Sequence, residues 1–341
     1  MRAPLLRWLR LMAGLIITSV CLWLVLARVH GDDIARAAKS FRWLWLFPAT
    51  GALAAGYGAR IYRWWWMLRL CSPSVRLRAC AWPLIAGFAV NNVVPFRAGD
   101  ALRIVGFRRE LELTAVQVLG SLLIERILDL TILLAFFVTG ILGLSTTEIP
   151  PMYLRTAVIV AVVGAAGWIL FLWKGDHLEA LLLKVCRVKL LVTWNIGVSA
   201  EHYLRQFFLT LNLVRLPGAA LKLLAVSAVA WSCEGIVFVT CAAGFDYGGR
   251  AFGPWFALSA GSLATMIPSS PGYVGTFDFF TTSGFGLYGA TLAKATAITL
   301  MVHIVLWVPI TVAGLTYLLF GRLKDRGGQF ISRPTQNQEG L

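Results

Sequence analysis

Charged side chains are scarce in this sequence: they make up 14% of its 341 residues, against roughly 25% in a soluble domain. Acids are scarcer still, with 16 Asp and Glu against 31 Lys and Arg. A soluble globular domain is excluded, because such a chain has too little polar surface to cover itself. The six cysteines (Cys21, Cys71, Cys80, Cys186, Cys233, Cys241) contain no CxxC pair and lie near no histidine cluster. Metal and redox centres therefore have no support, and no cofactor is expected. Walker loops, GxSxG elbows and HExxH helices are also missing, so nothing points to bond-making chemistry, and a transporter is favoured over an enzyme. The excess of basic residues does not indicate nucleic acid, since these residues sit between apolar runs and not on a polar face with stacking aromatics.

What is present is apolar. Hydrophobic residues reach 58%, with a mean hydropathy of +0.75. Fourteen tryptophans, several beside arginines as in Arg63-Trp64-Trp65-Trp66, suit the headgroup level of a bilayer. Six runs are long enough to cross about 30 Å of hydrocarbon: Leu11–Ala27, Trp43–Ile61, the part of Thr114–Leu144 after Gly120, Thr156–Trp173, Leu221–Ala243 and Ala295–Phe320. The first resembles a signal peptide, but its length and the lack of a small-x-small cleavage site before His30 identify a retained span.

Two stretches break this pattern. Asn91-Asn92-Val93-Val94-Pro95-Phe96-Arg97-Ala98-Gly99-Asp100-Ala101-Leu102-Arg103 places amides, a proline, a glycine and charges inside an oily chain. Ala260–Ile267 followed by Pro268-Ser269-Ser270-Pro271-Gly272-Tyr273-Val274-Gly275-Thr276-Phe277-Asp278 does the same near the other end. The flanking arms, Ala81–Val94, Trp255–Ile267 and Thr276–Tyr288, are each too short to span. Paired breaks of this kind are the sequence signature of discontinuous helices in the two halves of a transporter. The expected fold is an all-α polytopic membrane protein of about six full spans. Two opposed re-entrant hairpins, near 81–112 and 255–289, complete an inverted repeat within a single domain covering 1–320.

Of the 31 Lys and Arg, 23 fall in the N-terminal arm, Arg60–Arg78, Arg97–Arg109, Lys174–Lys222 and the tail from Arg322, against seven on the other side. Both termini are therefore expected in the cytoplasm. Within the cytoplasmic loop 174–220, Leu181, Leu182, Val185, Val188, Leu191 and Val192 recur at helical spacing among basic residues, which predicts an amphipathic helix on the inner leaflet. The segment 321–341 reads as a short polar cytoplasmic tail.

A charge at the bilayer centre costs roughly 2.5–3.5 kcal/mol on insertion scales, so each one is a functional candidate. Glu125, Arg126 and Asp129 lie in the third long run, with Glu125 and Asp129 on one helix face where they can flank a basic group. Glu234 has no base nearby in sequence and needs a partner from another helix, or a proton. His303, alone in an apolar run, is expected to make one structural hydrogen bond. Arg97 and Arg103 flank Gly99; with Pro95, that glycine frees backbone amides, and guanidinium forks and helix N-termini both favour phosphate.

These motifs, Asn92-x-x-Pro95-x-Arg97-x-Gly99-Asp100-x-x-Arg103, Glu125-Arg126-x-x-Asp129 and Pro268-x-x-Pro271-Gly272-x-x-Gly275-x-x-Asp278, together resemble the flippase-like family of the lysylphosphatidylglycerol synthase transmembrane region. The resemblance runs from about Leu11 to Phe320. It departs at Tyr273 and Asp278, where the family often has glycine and glutamate. It implies an integral protein of the bacterial cytoplasmic membrane whose best-understood relatives translocate aminoacylated phospholipid. Those relatives carry a soluble aminoacyltransferase domain after the membrane part; this chain reads as a stand-alone member, so lysyl transfer is not carried over. The expected function is flipping or scrambling of a phosphate-containing lipid, the expected partner is membrane lipid, and the expected contacts are the motif residues together with Glu234. Two alternatives remain: a membrane-embedded transferase using a lipid or polyprenyl-phosphate donor, with Asp100, Asp129 or Asp278 as base or metal ligand, and an ion-coupled small-solute transporter.

Overall fold

The computed structural model describes residues 39–95, 97–144, 196–215, 217–266 and 270–321. Among these residues every regular element is a helix. The runs Leu11–Ala27 and Thr156–Trp173, the amphipathic segment 181–192, the tail from 322 and the site candidate Pro268 lie outside them.

Four long helices form the frame. They are α1 (Leu46–Cys71), α5 (Ala115–Leu142), α7 (Pro217–Gly244) and α10 (Leu292–Thr316). At 1.5 Å per residue each is about 38–42 Å long, enough to cross a bilayer. Two satisfy length and apolarity together: Gly218–Gly244, and Leu292–Phe320, in which α10 continues through a π-helical turn. On α10, Leu300, Ile304, Val308 and Val312 recur every four residues and are exposed, giving an apolar outer stripe.

The other two correct the sequence-based boundaries. The run Trp43–Ile61 does not stop at Ile61: α1 continues to Cys71 and carries Arg60 and Arg63 in its interior, both buried. From sequence alone they read as loop charges, because a basic residue after an apolar run marks an interface. α5 starts at Ala115 under a reciprocal cap, in which the Gln117 amide donates to the Thr114 hydroxyl and the Thr114 amide donates to the Gln117 side chain. Its acids therefore lie near mid-helix, deeper than a start after Gly120 implies. The loop predicted over 174–220 is helical from Ile196, as α6 (Ile196–Arg215), whose Phe208 and Leu211 pack into the core.

Between the long helices lie two hairpins that enter from opposite ends of the frame. The first descends as α2 (Leu77–Val93) and returns as the single turn α3 (Ala98–Ala101), a π-helical turn (Leu102–Gly106) and α4 (Arg108–Leu111). Its open end lies beside the C-terminal end of α10, where Tyr317 stacks on Trp82. The second descends as α8 (Gly253–Ala264) and returns as α9 (Thr276–Leu287) after a 3-10 turn at Pro271–Tyr273. Its open end is closed by backbone bonding of Arg250 to the Tyr288 carbonyl, near the C-terminus of α7. At 12 residues, about 18 Å, neither α8 nor α9 spans a bilayer. The two tips meet: an Arg97 amine donates to the Thr265 carbonyl at 3.5 Å, and a Cβ on Gly272 would lie 3.3 Å from the Asn92 carbonyl.

Candidate functional site

Glu125, Asp129 and Glu234, the acids that lie within long apolar runs, are each paired with an arginine from another element. The pair Glu125 and Asp129 does not share one base. Glu125, on α5, receives both amines of Arg103 at 2.9 and 3.2 Å, a two-pronged pair with each side chain 1% exposed. The Arg103 guanidinium also lies 4.1 Å from the Trp64 ring. Asp129 accepts from Arg63 of α1 at 2.6 Å and from the Trp231 indole of α7 at 2.9 Å, and Ser227 accepts a second bond from Arg63. Arg126 reaches forward to both oxygens of Asp100 at 3.2 and 3.3 Å. Glu234 is paired with Arg60, whose guanidinium also faces the Trp231, Tyr57 and Phe88 rings. Pairing and ring contacts replace the water that these charges lose on burial.

The first tip is held by close backbone approach. Gly99 packs on the Gly87 carbonyl so tightly that a methyl group there would overlap it. The Gly99 amide donates to the Asn91 side chain at 2.8 Å, and that amide group in turn donates to Asp100 at 3.1 Å. This changes the role expected of Gly99: its N–H is satisfied internally and is not presented to a ligand. Arg103 changes likewise, since its fork is fully engaged by Glu125. Pro95 sits at the turn before Arg97, which adopts a left-handed backbone with φ 53°, a sparsely used conformation for a residue with a side chain.

At the second tip, Gly272 and Gly275 take φ 67° and 87°, a region that glycine enters without penalty. Pro271 opens the 3-10 turn that contains Gly272. Asp278 accepts from the Gly275 amide at 2.9 Å and lies 2.7 Å from His303 Nδ1, which gives the lone histidine a polar partner.

A cavity of about 120 Å³, with room for a few waters, lies where the tips meet α1, α5, α7 and α10. Of the residues proposed from sequence, Asn92, Arg97, Arg126, Asp129 and Glu234 line it. Pro95, Gly99, Asp100, Arg103, Glu125, Pro271, Gly272, Gly275 and Asp278 are not in the lining. Sequence reasoning missed Tyr57, Arg60, Trp231, Tyr273 and Trp307, all of which line it. The unmet need of Glu234 for a base was the available signal for Arg60, and the three-residue spacing of Arg60 and Arg63 inside one helix was a second.

Around the cavity, Arg60–Glu234 and Arg126–Asp100 are ion pairs, as is Arg63–Asp129 immediately behind. Arg97 differs: among the described residues it meets the Thr265 carbonyl and the Met266 sulfur, both at 3.5 Å, and no carboxylate. Among the described residues no group of His, Cys, Asp and Glu is arranged to hold a metal ion.

No match is found among curated proteins. The sequence profile of the family described as the lysylphosphatidylglycerol synthase TM region does match, over residues 11–314. With nearly the whole sequence covered, the chain belongs to this family of membrane proteins.

Proposed function

We propose that this protein moves a phosphate-containing lipid between the leaflets of the cytoplasmic membrane, and that the cavity between the two tips receives the headgroup. The observation that carries this reading is Arg97, a guanidinium on the cavity wall with no carboxylate partner among the described residues. A half-buried guanidinium without a counter-charge is well matched by a phosphate oxygen, which meets it with a charge-assisted hydrogen bond. The strained backbone of Arg97 fits a residue held in position for a ligand.

In this reading the two hairpins are re-entrant and form an inverted repeat, so that sliding one tip past the other exposes the cavity to alternate sides. The membership in a lipid-related membrane family supports a lipid cargo. Both termini lie in the cytoplasm: four of the 23 inner-side cations (Arg60, Arg63, Arg97, Arg103) belong to the interior, and the remaining 19 still outnumber seven.

The test is reconstitution into liposomes with fluorescent phospholipids and a leaflet-accessibility assay. Accelerated exchange of at least one phosphate-bearing lipid is expected. Unchanged exchange for every headgroup tried would reject the reading.

A further inference from the structure

We infer that Asp278 and His303 form a proton-binding site that latches the second hairpin to the frame, which makes displacement of that hairpin, and with it lipid exchange, proton-coupled. The inference rests on the lipid reading above and adds its driving force.

Placement is the first argument. Asp278 belongs to α9 in the second hairpin, and His303 belongs to α10, one of the four frame helices. Their 2.7 Å bond therefore crosses the seam along which that hairpin would slide. Both side chains are largely buried, Asp278 at 8% and His303 at 15% exposure. The His303 ring lies 4.3 Å from that of Trp307, which lines the cavity, so the pair stands one ring away from the lipid path.

Charge is the second argument. With one proton added to the carboxylate and neutral imidazole, the pair has no net charge, whichever partner carries it. Without that proton a single negative charge is left in a poorly hydrated place, and the bond across the seam is no longer an ion pair. The other ionisable groups on the facing elements are engaged elsewhere or neutral. Arg60 of α1 pairs with Glu234 of α7, Arg63 of α1 pairs with Asp129 of α5, Arg126 of α5 pairs with Asp100, and Arg97 meets the Thr265 carbonyl. Tyr57 and Tyr273 are phenols on the cavity wall, and Lys294, at the far start of α10, bonds the Asp246 carbonyl. Loss of the proton therefore loosens the second hairpin, and its return draws the hairpin back.

A polar line leads to the pair along the same seam. Thr282 follows Asp278 by one helical turn and Thr299 precedes His303 by one, and their buried hydroxyls bond each other at 3.1 Å on the side of the hairpin's open end. Beside them the Thr281 hydroxyl is buried and has no hydrogen-bond partner among the described residues. A proton arriving along this line forms one new N–H or O–H bond at the pair. It leaves through the few waters that the cavity admits, and nothing else is consumed.

The test has two arms, both on the full chain. Amide hydrogen exchange in detergent, followed from about pH 5 to about pH 9 across the ordinary histidine range, compares protection of α9 with that of α2, so that the intrinsic effect of pH cancels. Protection of α9 relative to α2 should fall as pH rises, and in His303→Gln and Asp278→Asn, which keep a hydrogen-bonding group, that dependence should vanish. In liposomes of phosphatidylcholine and phosphatidylglycerol, acid on the side of the second hairpin's open end should speed exchange by up to about tenfold per pH unit for one proton per lipid, and both variants should lose this response. A relative protection indifferent to pH, the same pH response in both variants, or lipid exchange indifferent to the gradient would overturn the inference. If no lipid moves under any condition, the lipid reading falls, and hydrogen exchange still decides whether the pair is a proton latch.

Discussion

The two broken hairpins meet at one cavity but are held by different forces. The first is held by charge and by backbone contact: Arg103 clasps Glu125, Asp100 clasps Arg126, Asn91 caps Gly99, and Gly99 lies on Gly87. The second is held by backbone conformation, small polar contacts and one bond between Asp278 and His303 at 2.7 Å. Gly272 and Gly275 take positive φ, Asp278 binds the Gly275 amide, and Thr282 bonds Thr299 at 3.1 Å. A tip fixed by buried ion pairs resists displacement, because separating them strands charges. A tip fixed by turns and hydroxyls can move at lower cost. On this comparison the first hairpin is the more firmly tethered wall of the cavity, and the second is the one that can be displaced at lower cost.

The largest effect should come from the first hairpin. Glu125→Gln leaves the Arg103 guanidinium buried without its counter-charge, and breaking such a pair costs about 3–5 kcal/mol. Thermal unfolding in detergent should show a large drop in midpoint. The corresponding change in the second hairpin, Asp278→Asn, keeps a hydrogen-bonding group beside a histidine and should cost clearly less. Similar losses from the two would remove the distinction between the hairpins.

The glycines sharpen the comparison. Gly99 is required for space and Gly272 for conformation, so asparagine, which tolerates a left-handed backbone, separates them. Gly272→Asn should be accepted to within about 1 kcal/mol, while Gly99→Asn should prevent stable folding, because its Cβ overlaps the Gly87 carbonyl. Expression and size-exclusion behaviour check both.

The smallest perturbation tests orientation. Ser74 and Gly248 are exposed at opposite ends of the frame, and a Cβ at Gly248 meets nothing within 4 Å. With native cysteines removed, an impermeant maleimide applied to intact cells should label Gly248→Cys and not Ser74→Cys. The reverse pattern would invert the topology.

The sequence made the breaks legible because proline, glycine and charge inside apolar runs have few physical explanations. It also showed that Glu234 needed a base. It did not show which one: Arg60 stands 174 residues away, and nothing local distinguishes a cation buried in a helix from one at the interface. The same blindness affected Arg103, which from sequence is equivalent to Arg97 as a phosphate ligand. Only the placement of Glu125 opposite Arg103 separates the two roles, because that contact depends on how α5 packs beside the first hairpin. The cavity's aromatic wall was hidden for a related reason, since tryptophans in an apolar chain are expected at headgroup level and Trp231 and Trp307 instead face the interior site.

The division of labour between Arg97 and Arg103 is the central claim, and lysine substitution in the liposome exchange assay tests it most directly. Arg97→Lys keeps the charge but loses the fork, so lipid exchange should fall about tenfold or more while the melting midpoint stays near that of the unmodified protein. Arg103→Lys should lower the midpoint first, because its two-pronged bond to Glu125 is lost. Exchange at the full rate in Arg97→Lys, with normal expression and stability, would contradict the account.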